Sequence, residues 1–408
     1  MSDASSKPSN ARTRGGPSRG AARIVGPCLL ALALAACAAS PRLLDERQCA
    51  PYADLLAKVD AARVEHEKVR VSLPDGPPLS IGLETVHAAH GASNPVLVLQ
   101  PGVLADGTTW RFLIGALAEE NDLLVVDPPG CGASDKPSPE SLGGACYSPA
   151  WLAECTLLAV RDWQARQPAP RRLALVGHSL GGTVVLRMMA EPELQQRYAD
   201  VVRRVERVVL LDPADIALTK ADPRLLEIRD LPDWKASIGG TLGILRRSVD
   251  QAIHDSVVDP EHDALRQEAD RMNAMLSDPA SRHAAQAMLR RFQPTDASGR
   301  PDRAATQRLA DEERAIVVPI LILWGERDDT LALEDAKPLI DRLKTEHLVV
   351  VPAAKHSTHQ EKVLEVAREI TTFVDAPAPA PAPTRAAAAP PAPAAPPDAT
   401  GSKDRSGP

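Results

Sequence analysis

Leu173-Ala-Leu-Val-Gly177-His-Ser179-Leu-Gly181-Gly182 is the stretch that decides the fold. Its first four residues are all apolar, as in a strand buried on both faces. They run into Gly-x-Ser-x-Gly, and residues 183–190, Thr-Val-Val-Leu-Arg-Met-Met-Ala, read as a helix. A strand that turns this sharply into a helix leaves no room for side chains at Gly177 and Gly181, and it forces strained backbone angles on Ser179. The turn lifts the Ser179 hydroxyl clear of the sheet and sets it over a helix N-terminus. Gly-x-Ser-x-Gly alone is common; its flanks give it weight. Ser179 is therefore a candidate nucleophile, to be tested by whether the chain supplies it with partners.

Working outward, short apolar runs recur at residues 96–99, 123–126, 208–211, 320–324 and 348–351. Two further strands, 68–73 and 79–87, are joined by the turn Pro74-Asp75-Gly76. Continuous Val, Leu and Ile runs, rather than alternating ones, belong to a mostly parallel sheet covered on both faces. Helical patterns at 110–120, 151–167, 183–190, 332–343 and 361–373 lie between the runs. The class is α/β, with a doubly wound sheet. The interval 213–317 breaks the rhythm. It holds no convincing strand, has charge-rich helical stretches at 260–276 and 282–292, and is too long for a loop. It reads as a helical insertion folded over the strand ends as a lid, with Gly239, Gly240 and Gly243 offering a bend.

A serine hydroxyl is a weak nucleophile until a base takes its proton, and the base needs a group to orient it. Past the run 320–324 comes Gly325-Glu-Arg-Asp328-Asp329. Past 348–351 comes Pro352-Ala-Ala-Lys-His356-Ser-Thr-His359-Gln-Glu361. A carboxylate and an imidazole thus each follow a strand's C-terminal end. Asp328 and Asp329 are both available as the acid, His356 and His359 as the base.

Taken together, these motifs resemble the α/β-hydrolase superfamily across residues 66–374. Gly-His-Ser-Leu-Gly-Gly looks like the nucleophile elbow of its esterase, lipase and C–C hydrolase branches. Asp127-Pro-Pro-Gly130-Cys-Gly132-Ala-Ser134-Asp135-Lys-Pro137 is similar to the family segment Asp-x-x-Gly-x-Gly-x-Ser-Asp-x-Pro. The resemblance implies an α/β-hydrolase fold with a helical lid insertion, in which Ser179, Asp328 and His356 form the triad in that chain order. It favours His356 over His359 and Asp328 over Asp329. Where the family commonly has His-Gly, this chain has Gln100-Pro101-Gly102-Val103; Gly102 keeps the turn. The backbone N–H groups of Val103 and Leu180 are then the expected oxyanion hole. The implied activity is serine hydrolysis of a small-molecule ester or acyl substrate, with no cofactor and no metal. Acyl transfer, C–C hydrolysis and perhydrolysis use the same triad. A surface lipoprotein that keeps the fold for binding alone is the non-enzymatic alternative.

The ends of the 408-residue chain have a different composition. Residues 1–36 carry Lys7, Arg12, Arg14, Arg19 and Arg23 against one acid, Asp3, ahead of an apolar run at 24–36 too short to span a bilayer comfortably. The run ends in Leu34-Ala35-Ala36-Cys37, which resembles the bacterial lipobox. That resemblance implies a lipoprotein signal peptide, a lipid-modified Cys37 as mature N-terminus, export, and anchorage to a bacterial membrane, with Ala38 favouring the outer one in a Gram-negative cell. Residues 375–408 are Ala- and Pro-rich and read as a disordered tail. The expected organisation is a signal peptide (1–36), a linker with helical character (37–65), the core in two parts (66–212 and 318–374), the lid (213–317) and the tail.

Net charge is −7 and no basic patch suggests nucleic acid. An exported chain permits disulfides among Cys49, Cys131, Cys146 and Cys155; Cys131 with Cys146 or Cys155 is one arrangement, free thiols are another, and spacing does not fix the connectivity. His254, Asp255, Asp259, His262 and Asp263 are spaced irregularly, as on a solvated face rather than in a metal site. His178 reads as a packing residue, and Trp110, Phe112 and Trp234 are candidates to line the pocket.

Overall fold

The apolar runs line up side by side in the computed structural model, which describes residues 42–43 and 52–377 apart from 75, 91–93, 143–145, 221, 259–262 and 346. The signal peptide, Cys37, Cys49, Asp259, His262 and nearly all of the tail lie outside the described residues. The strands are β1 Arg42–Leu43, β2 Arg63–Val71, β3 Leu79–His87, β4 Val96–Gln100, β5 Leu123–Val126, β6 Leu173–His178, β7 Val205–Leu211, β8 Ile320–Gly325 and β9 His347–Val351. They form one sheet in the order β1-β9-β8-β7-β6-β4-β5-β3-β2. β3 is antiparallel to both its neighbours, and every other pairing is parallel.

Alternate residues of the central strands serve opposite layers. Val96, Val98, Leu173, Leu175, Ile320 and Ile322 join one apolar cluster with the helices Pro149–Ala165 and Leu180–Ala190. Leu97, Leu99, Ala174, Val176, Leu321 and Leu323 join the other, with the helices Tyr52–Ala61, Arg111–Leu117 and Val363–Asp375. That two-sided burial is why these strands are apolar throughout, and at roughly 25 cal/mol per Å² of apolar surface it is the main source of stability.

The structure differs from expectation where pairing overrides pattern. β2 begins at Arg63 rather than at residue 68, because an edge strand gains its ladder to β3 without needing apolar side chains. β1 has only two residues and no periodicity to read. The helix expected at 332–343 opens as a 3₁₀ turn, Leu333–Ala336, before Lys337–Leu343 with Pro338 in its first turn. The helix expected at 361–373 is interrupted at Lys362, giving Thr358–Glu361 and Val363–Asp375. Cys131, Cys146 and Cys155 are buried in the first cluster and no disulfide joins any two of them.

Between β7 and β8 the described residues form the helices Pro223–Arg229, Asp233–Thr241, Ile244–Ser256, Asp263–Ser277, Pro279–Arg290 and Arg303–Glu312. Two of them start at Asp-Pro pairs. The carboxylates of Asp222 and Asp278 accept from the amides of Arg224 and Ser281, and the prolines lose no hydrogen bond in a first turn. These helices have an apolar cluster of their own, Leu245, Val249, Ala269, Leu276 and Ala285, closing over Leu104 of the loop after β4. The two roots of the insertion meet at one buried guanidinium. Arg342 donates to Asp215, just after β7, and to Glu313, just before β8.

Candidate active site

Ser179 stands between β6 and its helix at φ 51°, ψ −120°, a conformation a residue with a side chain adopts only when its surroundings impose it. The surroundings here are specific. The Ser179 amide donates to the Leu211 carbonyl, and the Ser179 carbonyl accepts from Gly182 and Ala214, each at 3.0 Å. A Cβ at Gly177 would come within 2.5 Å of the Gly181 carbonyl oxygen, and one at Gly181 would overlap the carbonyls of Gln100 and Pro101. Only glycine lets strand, helix and the β4 loop approach so closely.

That loop reaches the serine itself, since a Cβ on Gly102 would lie 3.1 Å from the Ser179 Cβ. Val103 follows directly and packs against the apolar cluster to which Leu180, at the helix start, belongs. Gln100 is structural. Its side-chain oxygen accepts from Thr156 Oγ1 at 2.9 Å and ties the loop to the helix Pro149–Ala165.

The three residues expected to work together do meet. His356 Nε2 lies 3.1 Å from Ser179 Oγ, and His356 Nδ1 lies 2.8 Å from Asp328 Oδ2. The other oxygen of Asp328 accepts from the Thr330 and Leu331 amides, both at 2.9 Å, which fixes the carboxylate's rotamer. Asp329 turns away. Its side chain is 51% exposed and faces Arg224 and Lys355, 3.7 Å from each.

Electrostatics separates the histidines. His178 packs between His356 and His359, with ring centroids 5.0 Å and 4.4 Å away and ring planes tilted by 49° and 51°. Burial, and then the neighbouring histidines, push His359 well below its ordinary value; its Nε2 meets only Thr109 Oγ1, at 3.2 Å. Burial likewise holds His178 down at about 3, and its Nε2 hydrogen donates to the His356 carbonyl at 2.8 Å. His356 alone moves upward. Burial pulls it down, but the charge and hydrogen bond of Asp328, helped by Asp212, outweigh that and hold it at about 9. Of the two candidate bases, only His356 has a carboxylate to stabilise the imidazolium formed when it takes a proton.

Asp212 went unnoticed in the sequence. It sits at the end of β7 at φ 44°, fully buried. One oxygen accepts from the Gly325 amide and the other from Thr358 Oγ1, both at 2.7 Å. It therefore joins the root of the acid loop to the histidine loop. Burial, and then the charge of Asp328, push its carboxyl well above the usual carboxylate range. The available signal was Leu211-Asp212-Pro213, a carboxylate at a buried strand's C-terminal end, where Asp328 and His356 also lie.

The segment 127–137 is a lock rather than a reactive element. Asp127 accepts from the amides of Gly107 and Ala133, and Ser134 Oγ bridges the Asp127 carbonyl to the Gly82 amide. Of the three aromatics considered for the pocket, Trp110 is buried against His178 and His359, and Phe112 lies in the core. Trp234 is 64% exposed on the lid, because its helix turns Ala236 and Gly239 inward instead. Asp255 pairs with Arg224. Among the described residues no three His, Cys, Asp or Glu side chains are grouped to hold a metal.

The helical insertion packs against the loop that follows β4, beside this site. Val103 and Leu104 pack against its apolar cluster. Arg271 pairs with Asp106 at 3.3 Å and Glu268 with Arg111 at 3.2 Å, so the helix Asp263–Ser277 is pinned to the segment leading away from the Gly102 turn.

This strand order, elbow and triad geometry agree with a family-level match. The chain belongs to the alpha/beta hydrolase family, whose model matches residues 88–369. An uncharacterised protein of Mycobacterium tuberculosis is 33% identical over 131 residues, which is 30% of this chain and 35% of that protein, so the likeness spans about a third of the curated relative. Among solved structures, a membrane phospholipase A described as a bacterial virulence factor has a TM-score of 0.57 at 22% identity, over 79% of this chain and 91% of that one. A thermophilic esterase of Thermogutta terrifontis has a TM-score of 0.51 at 20% identity, over 75% and 97%.

Proposed function

We propose that this chain is a serine hydrolase that cleaves a carboxylic ester through an acyl-enzyme on Ser179. The observation that carries the reading is the hydrogen-bonded line from Ser179 Oγ through His356 to Asp328, built on a strained turn at a helix N-terminus. In the first half-reaction Ser179 Oγ attacks the acyl carbonyl while its proton passes to His356 Nε2. Asp328 holds Nδ1–H and stabilises the imidazolium. The Val103 and Leu180 amides stabilise the oxyanion. As the C–O bond breaks, His356 returns the proton to the leaving alkoxide. Water then attacks the acyl carbon and gives a proton to His356, and as the bond to Ser179 Oγ breaks His356 passes that proton to Oγ, releasing the acid and free Ser179. The ester class draws support from the esterase and phospholipase names of structures with this fold.

The same proposal includes export and a lipid on Cys37, resting on the lipobox resemblance of residues 34–37. Among the described residues no helix is long and apolar enough to cross a membrane.

Ser179→Ala should lower kcat on short p-nitrophenyl esters by at least about 10³-fold and abolish labelling by a fluorophosphonate probe. Native-rate turnover by that variant would overturn the assignment. Labelling absent from the unmodified chain would favour a binding scaffold. For the anchor, Cys37→Ser should abolish incorporation of labelled fatty acid and release the protein from the membrane fraction.

A further inference from the structure

Four large apolar side chains stand in solvent within one short stretch of the lid. On the helix Asp233–Thr241 and the turn after it, Trp234 is 64% exposed, Ile238 51%, Leu242 62% and Ile244 50%. Trp234, Ile238 and Leu242 follow a spacing of four, so they form one stripe, while Ala236 and Gly239 face inward. A contiguous exposed stripe of this kind marks a surface that something covers. We propose that it is covered by a phospholipid surface, into which the lid inserts this stripe from the side.

The charges around the stripe support that occupant. The Lys235 ammonium sits 5.5 Å from the Trp234 ring centre, and Arg247 is exposed one turn beyond Ile244. The nearby acids are already engaged. Asp233 holds Arg282 and His283, and Asp250 and Asp270 hold Arg246. Among the described residues Lys235 and Arg247 have no carboxylate partner. An apolar stripe carrying an interfacial tryptophan and two free cations complements the acyl boundary and anionic headgroups of a bilayer.

Position adds a second argument. The helix Ile244–Ser256 begins at the stripe, and its far end meets the loop after β9, where Lys355 Nζ donates to the Asp255 carbonyl at 2.8 Å. β1 lies beside β9, with Leu43 opposite Val350. From Cys37 to Arg42 the chain can reach at most roughly 17 Å. A lipid on Cys37 would therefore moor the protein at β1, whose partner strand β9 leads into the loop this lid helix touches. The mooring argument rests on the proposed anchor, whereas the stripe and its cations do not, and neither rests on the ester reading.

The test uses the chain from residue 38 onward, which contains every described residue and lacks both the signal peptide and the lipid. It carries Ser179→Ala so that vesicle lipid is not hydrolysed. The proposal expects co-sedimentation with vesicles containing phosphatidylglycerol, weaker co-sedimentation with phosphatidylcholine alone, and a blue shift of Trp234 emission that Trp234→Phe removes. Trp234→Ser/Ile238→Ser/Leu242→Ser should weaken partitioning at least about tenfold with an unchanged melting temperature. Lys235→Gln/Arg247→Gln should erase the preference for anionic vesicles. Absence of partitioning, or partitioning unaffected by the triple variant, would overturn the proposal. So would a dimer broken by the same triple variant, which assigns the face to a second copy. Vesicle binding that emerges only on removing residues 378–408 would assign it to the chain's own tail, and would overturn it equally.

Discussion

The sheet core and the lid are held together by different forces. The core is apolar strand against apolar helix on both faces, and two of its buried carboxylates, Asp212 and Asp328, serve the catalytic end. The lid has a small apolar cluster and is fastened by ion pairs such as Arg271–Asp106 and Arg111–Glu268, while showing Trp234 and its neighbours to solvent. Tight packing fixes geometry, whereas these largely buried ion pairs hold the lid only while both partners stay paired, since removing one leaves the other charge buried and uncompensated. The difference matches the division of labour proposed here: an immobile triad under a roof that admits a substrate.

Six substitutions would break or sharpen that contrast. The largest effect is expected from Gly181→Val, which drives a side chain into the Gln100 and Pro101 carbonyls and should cost ~3 kcal/mol or more in a thermal or urea melt. Gly240→Ala in the lid helix, with open space around it, should instead stabilise by roughly 0.5–1 kcal/mol in the same melt. Next is Asp328→Asn, expected to lower kcat on the order of 10⁴-fold by losing the acceptor that orients His356, while Asp329→Asn on the exposed side leaves it within about twofold.

The pH dependence follows from the same pair. His356 must be neutral to act as a base, so kcat/KM should climb with pH toward about 9, and Asp328→Asn should move that limb down. For stability the sign is opposite. With its folded pKa raised above its ordinary value, His356 contributes fully below about 6.5, and the contribution is lost as pH rises through about 9, which melts in alkaline buffer would detect.

A smaller loss should come from Asp212→Asn. About tenfold in kcat is the scale of a single buried hydrogen bond, here the one accepted from Thr358, and a shifted pH profile would mark a positioning role through His356 rather than a general loss of fold. Smallest is Arg271→Gln in the lid, expected to raise KM severalfold with kcat unchanged, since it loosens the roof without touching the triad.

The same contrast explains what was legible in the sequence. Strands buried on both faces announce themselves as apolar runs, so β3 and β5 end at the expected residues and the central strands within a few. Asp328 and His356 were readable because each follows such a run in a motif-bearing loop. Choosing between Asp328 and Asp329 needed the resemblance, because adjacent carboxylates look alike until one is buried at His356 Nδ1 and the other faces solvent. Asp212 was hidden because its partners, Gly325 and Thr358, are distant in sequence and meet it only when β7, β8 and the loop after β9 align. The lid was legible as an interruption and as helices. Its fastening was not, since no local pattern links Arg111 to Glu268 or predicts that Trp234 points outward.

The clasp of Arg342 on Asp215 and Glu313 bears on how this fold can change. By drawing the two roots together, it makes the whole insertion a detour that starts and ends at nearly one place. Closing a flexible loop grows costlier only with the logarithm of its length, so what lies between the roots can lengthen, shorten or be replaced while the sheet notices little. The neck is the fixed point and the detour the free variable. Exchanging residues 216–312 between relatives is therefore the natural way to retune what reaches Ser179, with the triad left as it stands.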